Sequence, residues 1–427
     1  MTNKRLMAVA ALAIATLSAG AQELKFNLEY RPRAELRSGY GRPLLDEEEA
    51  AFFIIQRSRL GANYIDDRFE IKLTVQDSRL WGETGTNSEA TSTSSALTMF
   101  EANGTIKFTP NLKAIIGRQT IQLDDGRLFT AGNWTNTGTA HDAAMLKYDD
   151  NNGFRLLGAL AYNNSSISNS DYGYLGAMKY RYMGLLWSSQ KLGSVELSEI
   201  FVDEGVPYVK DESEHHMWHH YTFGANAKLN ISSEFDILLT AYGQAGRIGD
   251  EDENAKLSAF ILAAKANYRM NSATRLFAGI EAYSGDDGSH ADKIKTFQPL
   301  YGGAHAFNGS MDYWTNNLPK AGLLDIYVGA NHLLNDKWTI EATLRSLNTL
   351  KEYESSYIDG RSLGVEFDAK LQYKMFKGLT AELGYSFYAI NDNVRSWKLG
   401  SPNTDTKFPQ FAYLMMTFKP QDFGIKF

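Results

Sequence analysis

The 427-residue sequence contains no cysteine. That excludes a disulfide framework, a thiolate metal site and a cysteine nucleophile. Positive charge is also short, with 43 Lys and Arg against 50 Asp and Glu, so the chain is a poor match for the phosphate backbone of nucleic acid. Long apolar runs are missing as well. After residue 21 no stretch of eighteen or more apolar residues occurs, and a transmembrane helix needs about 20. No G-x-S-x-G and no nucleotide-binding motif is present.

What is present is aromatic: 23 Tyr and 23 Phe. The first residues combine Lys4 and Arg5, an apolar run from Leu6 to Leu17, and the small triplet Ala19-Gly20-Ala21. This is the layout of a secretory signal, with cleavage expected before Gln22 and a mature single domain over 22–427. An exported, cysteine-free, aromatic-rich chain is compatible with a soluble periplasmic β-sandwich or β-helix and with a membrane barrel. Organisation has to choose.

The segment Leu24 to Arg37 alternates without error. Leu24, Phe26, Leu28, Tyr30, Pro32, Ala34 and Leu36 occupy the even positions, and Lys25, Asn27, Glu29, Arg31, Arg33, Glu35 and Arg37 the odd ones. A period of two is a strand, because successive side chains point to opposite faces. Similar apolar faces recur as Phe69-Ile71-Leu73-Val75, Phe100-Ala102-Ile106-Phe108, Tyr221-Phe223-Ala225-Ala227-Leu229, Trp338-Ile340-Ala342-Leu344 and Leu363-Val365-Phe367-Ala369-Leu371-Tyr373. The residues between them, Arg345 among them, are polar or small.

Short links such as 64–68, 109–111, 148–153, 230–234, 269–273, 334–337 and 375–378 alternate with long polar ones. The long links are 38–50, 82–95, 123–140, 163–173, 203–217, 247–255, 285–322, 348–360 and 390–409. Alternating faces joined by alternately short and long links predict an all-β transmembrane antiparallel barrel of about 18 strands, apolar outside and polar inside. An even strand count puts both termini on the short-turn side, the periplasm. The last strand ends on Phe427, which resembles the C-terminal signal read by the outer-membrane insertion machinery. A barrel of this size encloses an aqueous channel unless something fills it. The long link 285–322, with Tyr301, Phe307, Tyr313 and Trp314, is a candidate for an inward lid or for stacking on a sugar.

From Gln56 onward the chain resembles the alginate-export family of outer-membrane channels. The matching residues are QRSRLG (56–61), VQDSRLWGE (75–83), IGRQTIQLDDGRLFTAGNW (116–134), HDAAMLKY (141–148) and GLLDIYVGANH (322–332). The resemblance implies an eighteen-stranded barrel with an arginine-rich lumen that passes an anionic polysaccharide. It also implies Arg57, Arg59, Arg79, Arg118 and Arg127 as pore cations with Asp77, Asp125 and Asp142 as their partners. Alternation adds Arg31, Arg33, Arg37 and Arg345 to the lumen. The guanidinium fork suits carboxylate recognition, and a lumen lined by such forks selects anions. Carboxylates on the same faces, Glu29, Glu35, Glu70, Glu101, Glu341, Glu366 and Asp368, offer the alternative of a self-paired network without strong selectivity.

Other signals point elsewhere. His215 to His220 contains four histidines, but on a strand only alternate ones converge. An aromatic strand end at the membrane interface explains them without a metal, and none is expected. The acidic segments 249–254 and 284–292 lack EF-hand spacing and read as solvated loop tips. His141 and Asp142 are adjacent and so fall on opposite faces of a strand, which argues against a base–carboxylate pair and against an enzyme. No cofactor is expected. A surface adhesin or scaffold is the remaining alternative class.

Overall fold

The computed structural model describes residues 22–82, 97–164, 180–211, 214–248, 255–288, 293–315, 317–353 and 358–426. The expected signal segment, Phe427, the acidic segment 249–254 and part of 284–292 therefore lie outside the described residues.

The strands are β1 (Glu23–Ser38), β2 (Ala51–Ile65), β3 (Phe69–Leu80), β4 (Thr98–Lys107), β5 (Leu112–Gln119), β6 (His141–Asp149), β7 (Phe154–Tyr162), β8 (Tyr182–Leu192) and β9 (Val195–Asp211). They continue as β10 (Glu214–Asn230), β11 (Phe235–Ile248), β12 (Ala255–Arg269), β13 (Thr274–Tyr283), the two-residue β14 (Lys293–Ile294), β15 (Leu323–Leu333), β16 (Trp338–Asn348), β17 (Ser362–Phe376), β18 (Leu379–Ala389), β19 (Gln410–Phe418) and β20 (Phe423–Lys426). A short helix, α1 (Asp392–Leu399), lies in the last long loop.

Each wall strand pairs antiparallel with its neighbour in sequence, and β13 pairs with β15. Closure comes from β1, which pairs with β2 on one side and with β19 and β20 on the other. Counting β19 and β20 as one interrupted strand and leaving out β14, which adds beside β12, the barrel has 18 strands. The expected architecture is therefore the observed one. Glu23 is opposite both Ile65 and Lys426, so the two termini share the short-turn end.

The outward row of β1 is as the alternation predicts. Leu28, Tyr30 and Leu36 are exposed on the outer surface, and Arg31, Arg33 and Glu35 are buried inside. Two of the expected apolar faces break at β-bulges, where one extra residue reverses the parity of the rest of the strand. A register shift at Thr74/Val75 turns Phe100 inward, and one at Leu347/Asn348 does the same for Leu363. The expected loop 203–217 is instead a continuation of β9 and β10 into a long hairpin.

The interior of the barrel is not uniformly polar. The inner faces of β6 to β9 carry Ala143, Met145, Leu157, Ala159, Met183, Leu185, Ile200 and Val202, all buried. These strands are apolar on both faces, and the inner one needs a cover. The cover is the long loop 120–140, which folds into the lumen and buries Ile121, Leu123, Leu128 and Phe129 against that wall. Each such side chain removed from water contributes about 1.5–3 kcal/mol as an upper estimate.

The second long loop also enters the lumen through its described residues 293–315. It lies alongside the first through a parallel bridge between Phe129 and Tyr301, with Thr130 N–H donating to Tyr301 O at 3.1 Å, Tyr301 N–H to Leu128 O at 2.9 Å and Gly303 N–H to Gly126 O at 2.9 Å. Gly302 is required there, since a Cβ would sit 1.9 Å from Arg127 O. Of the two readings open for 285–322, its described residues fold inward as a lid, and that lid is shared with 120–140.

Candidate functional site: the constricted lumen

On β1 and β2 the register sets Arg31 opposite Arg57 and Glu29 opposite Arg59. Their side chains form a ladder of guanidinium groups along one wall of the lumen, and the ladder faces main-chain carbonyls. Arg31 donates to Asn133 O, to Trp134 O at 3.2 Å and to Thr135 O at 2.9 Å. Arg33 donates to Trp134 O at 2.7 Å, Arg57 to Thr135 O at 3.1 Å and Arg59 to Thr137 O at 3.4 Å. The loop segment 133–137 is held by four arginines at once.

The ladder is also held from behind. Glu35 accepts from Arg33 at 2.6 Å and Arg37 at 2.7 Å, and Glu29 from Arg57 at 2.7 Å. Arg33 lies 3.9 Å from the Trp134 ring centroid and Arg59 3.5 Å from that of Phe100. Arg57 is only 1% exposed. An arginine that buried cannot meet a passing solute while the loop is seated. Arg37, by contrast, keeps 33% of its side chain exposed.

The two loops are joined above this ladder. Trp134 stacks on His305 at 3.7 Å and 3° between planes and packs edge-on against Tyr413 at 5.0 Å. His305 bonds Asp312 at 2.9 Å, and Asp312 accepts from Tyr40.

The opposite wall carries a second charged cluster. Arg127 reaches from loop 120–140 to Glu281 on β13, with bonds of 2.6 and 3.0 Å, to Tyr283 at 2.6 Å and to Asp125 of its own loop at 3.3 Å. Arg345 pairs with Asp325 and, at 3.5 Å, with Asp368. Glu281, Asp325, Tyr283 and Lys265 were not read as site residues from sequence. A signal existed for Glu281, which stands between the outward Ile280 and Ala282 and so must face in. Between the loops and this wall lies a cavity of about 730 Å³. Its charged lining is Arg127, Lys265, Arg345 and Lys370 against Asp125, Glu281, Asp312, Glu341, Asp368 and Glu382.

Four of the residues assigned to the pore from sequence are not there. Asp77 and Arg79 continue the outward row Phe69, Ile71, Leu73 and Val75, and they pair with each other at 2.7 Å on the outside of β3. Arg118 stands opposite Asp142, bonds it at 2.8 Å, and shares the outer face of Ile116 and Leu146. The parity of the apolar residues carries this information, and the expected pairing of Asp142 with a lumen arginine is corrected by it. All four lie within three residues of the long-loop strand ends, where a lipid-face charge costs about 0–1 kcal/mol, against about 2–4 kcal/mol at the midplane. Arg31, Arg33, Arg37, Arg57, Arg59, Arg127 and Arg345 do face the lumen, with Asp125 beside Arg127.

The histidines 219 and 220 split across the wall of β10, as alternation requires. His219 meets Asp203 at 2.9 Å on the outside, and His220 meets Glu204 at 3.4 Å inside. Among the described residues no group of three or more His, Asp or Glu is placed to hold a metal ion.

A closed eighteen-strand barrel with a ladder of arginines and two lumen loops is a channel architecture, and the sequence supplies the family. The alginate export family model matches residues 22–323. The chain belongs to the alginate export family. It is accordingly an integral β-barrel channel of the bacterial outer membrane. No curated protein matches the sequence. Among solved structures the chain is similar to Pseudomonas aeruginosa OccK9 (OpdG), at 13% identity and a TM-score of 0.63 over 94% of this chain and 98% of that one. It is similar to Acinetobacter baumannii OccAB3, at 11% identity and 0.63 over 94% and 99%. It is also similar to Pseudomonas aeruginosa OccK2 (OpdF) in complex with glucuronate, at 14% identity and 0.61 over 94% and 98%. At these identities the likeness is one of fold.

Proposed function

We propose that this alginate export family barrel passes small anionic solutes of the size of a single sugar acid, with its short turns and both termini in the periplasm. The observation that carries this reading is the charge separation across the lumen. Along the inward faces of β1 and β2, Lys25, Arg31, Arg33, Arg37, Arg57 and Arg59 outnumber Glu23, Glu29 and Glu35, while the carboxylates outnumber the cations around the opposite cavity. The field of the β1–β2 wall draws a carboxylate drifting through the lumen toward the arginine side, where Arg37, with 33% of its side chain exposed, offers a forked donor for its two oxygens. Its hydroxyl groups then face acceptors on the acidic side. Structures of similar fold hold glucuronate in OccK2 and vanillate in OpdK, both small carboxylates, which supports the same solute class here.

A polymer is the less favoured cargo, because the seated loops fill the lumen between the walls. Transport in this reading is passive. The adjacent pair His141 and Asp142 is split by the wall: His141 bonds Tyr180 at 2.8 Å inside the barrel while Asp142 points to the outer surface. Folding in the cell would use the outer-membrane lipid and the barrel insertion machinery in the ordinary way. Proteoliposomes holding the refolded protein are expected to swell faster in isotonic glucuronate than in an uncharged hexose. Equal rates would leave a general porin, and swelling confined to alginate oligomers would restore the polymer reading.

A further inference from the structure

The turn at 124–126, near the start of loop 120–140, presents a carboxylate to a cradle that the wall builds independently of the loop. Asp124 Oδ1 accepts from Trp187 Nε1 at 3.0 Å and from Ser198 Oγ at 2.6 Å, and its Oδ2 lies 3.5 Å from Tyr242 OH. Asn226 brings its amide to the same group. The four donors come from four consecutive strands, β8 to β11. Ser198, Asn226 and Thr240 stand in one cross-strand row, and Thr240 and Tyr242 both hold Asn226 by hydrogen bonds. Their positions are therefore fixed by the sheet register.

The donors and their guest differ in exposure. Trp187, Ser198, Asn226 and Tyr242 are all buried, whereas Asp124 is exposed to the lumen. Asp124 holds a left-handed backbone, φ +50°, which Asp and Asn adopt more readily than other residues with a Cβ. A row of donors fixed by the sheet is thus occupied by a loop residue that is reachable from the channel.

We infer that Trp187, Ser198, Asn226 and Tyr242 form a carboxylate-binding subsite of the channel, which Asp124 fills as an internal stand-in and a solute carboxylate takes when the Asp124 side chain turns away. Four neutral donors match a single negative charge spread over two oxygens. Trp187 Nε1 can only donate, so a hydroxyl or amide guest uses the site less well than a carboxylate. Indole and phenol rings at its edge give a sugar ring apolar surface to lie on. The inference rests on the anionic-solute reading above for the identity of the guest, but the cradle is defined by the wall alone.

The test removes the stand-in. Asp124→Gly deletes the carboxylate and suits the positive φ. Single-channel conductance of this variant is expected to exceed that of the wild type. Acetate or glucuronate, added at constant ionic strength, is expected to reverse the increase saturably, and methyl glucoside is not. The melting midpoint of the refolded variant should rise with acetate in the same concentration range. Adding Trp187→Phe should weaken the acetate response about tenfold, the loss of roughly one charge-assisted hydrogen bond. If Asp124→Gly does not refold, Asp124→Asn, which tolerates the left-handed region, carries the same titrations. A variant indifferent to both carboxylates, or one whose response survives Trp187→Phe undiminished or appears equally with methyl glucoside, overturns the subsite and leaves Asp124 a loop anchor. Cation selectivity of the wild type with an intact acetate response would remove the transport reading and leave the cradle.

Discussion

Replacing Arg31 and Arg57 with glutamine, together with Glu29→Gln, is expected to open the channel while leaving the barrel folded. The two arginines supply four of the six ladder bonds to the carbonyls of 133–137. Hydrogen bonds to charged groups contribute about 1.5–3 kcal/mol each, and about 1.4 kcal/mol is tenfold in an equilibrium. Losing several of them shifts the seated loop strongly toward release. The third substitution is needed because Glu29 would otherwise keep a carboxylate without its guanidinium partner. The apolar anchor at Ile121, Leu128 and Phe129 is untouched, so the base of the loop stays in place and only 132–139 is freed. Planar-bilayer recording should show larger and noisier unit conductance with an unchanged heat-modified gel shift. Were conductance unchanged and only ion selectivity reduced, the ladder would be an open ring of pore cations, the role first suggested by sequence.

The largest stability effect is expected at Arg127. Its guanidinium satisfies both oxygens of Glu281, whose side chain is 4% exposed, together with Tyr283. Arg127→Met leaves that carboxylate buried with its main partner gone, a change that costs about 3–5 kcal/mol. The same substitution combined with Glu281→Gln should recover most of the loss, because both charges are then absent. Thermal melting of the refolded protein in detergent measures the two. A single variant as stable as the wild type would mean that Glu281 has been taken over by a neighbouring cation such as Lys265 or Arg345. The loop would then be held chiefly by its apolar contacts.

The wall was legible in the sequence and the filling was not. Strand parity fixes a face directly, so Leu28 to Leu36 and Arg31 to Arg37 fall where the alternation puts them. The same rule, applied past Val75, places Asp77 and Arg79 outside. Family resemblance drew them inward, and Arg118 and Asp142 with them. Bulges defeat parity because an extra residue leaves no mark in composition, as at Phe100 and Leu363. What the sequence could not show is the path of the long loops. Loop 120–140 enters the barrel because the inner faces of β6 to β9 are apolar, and an inward methionine such as Met145 or Met183 reads like any other core residue until the barrel is closed. The arginine ladder changes meaning for the same reason: Arg57 is a lumen cation by parity, and only the seated carbonyl of Thr135 makes it a loop anchor.

The reversal potential across a planar bilayer under a salt gradient bears most directly on the claim that the lumen favours anions. The wild type is expected to show anion preference, because the cations on β1 and β2 exceed their carboxylates along the whole inward face. Arg79→Gln with Arg118→Gln should leave that potential unchanged, since both residues lie outside the barrel. A clear cation preference in the wild type, or a large shift in this outer-surface variant, would contradict the account.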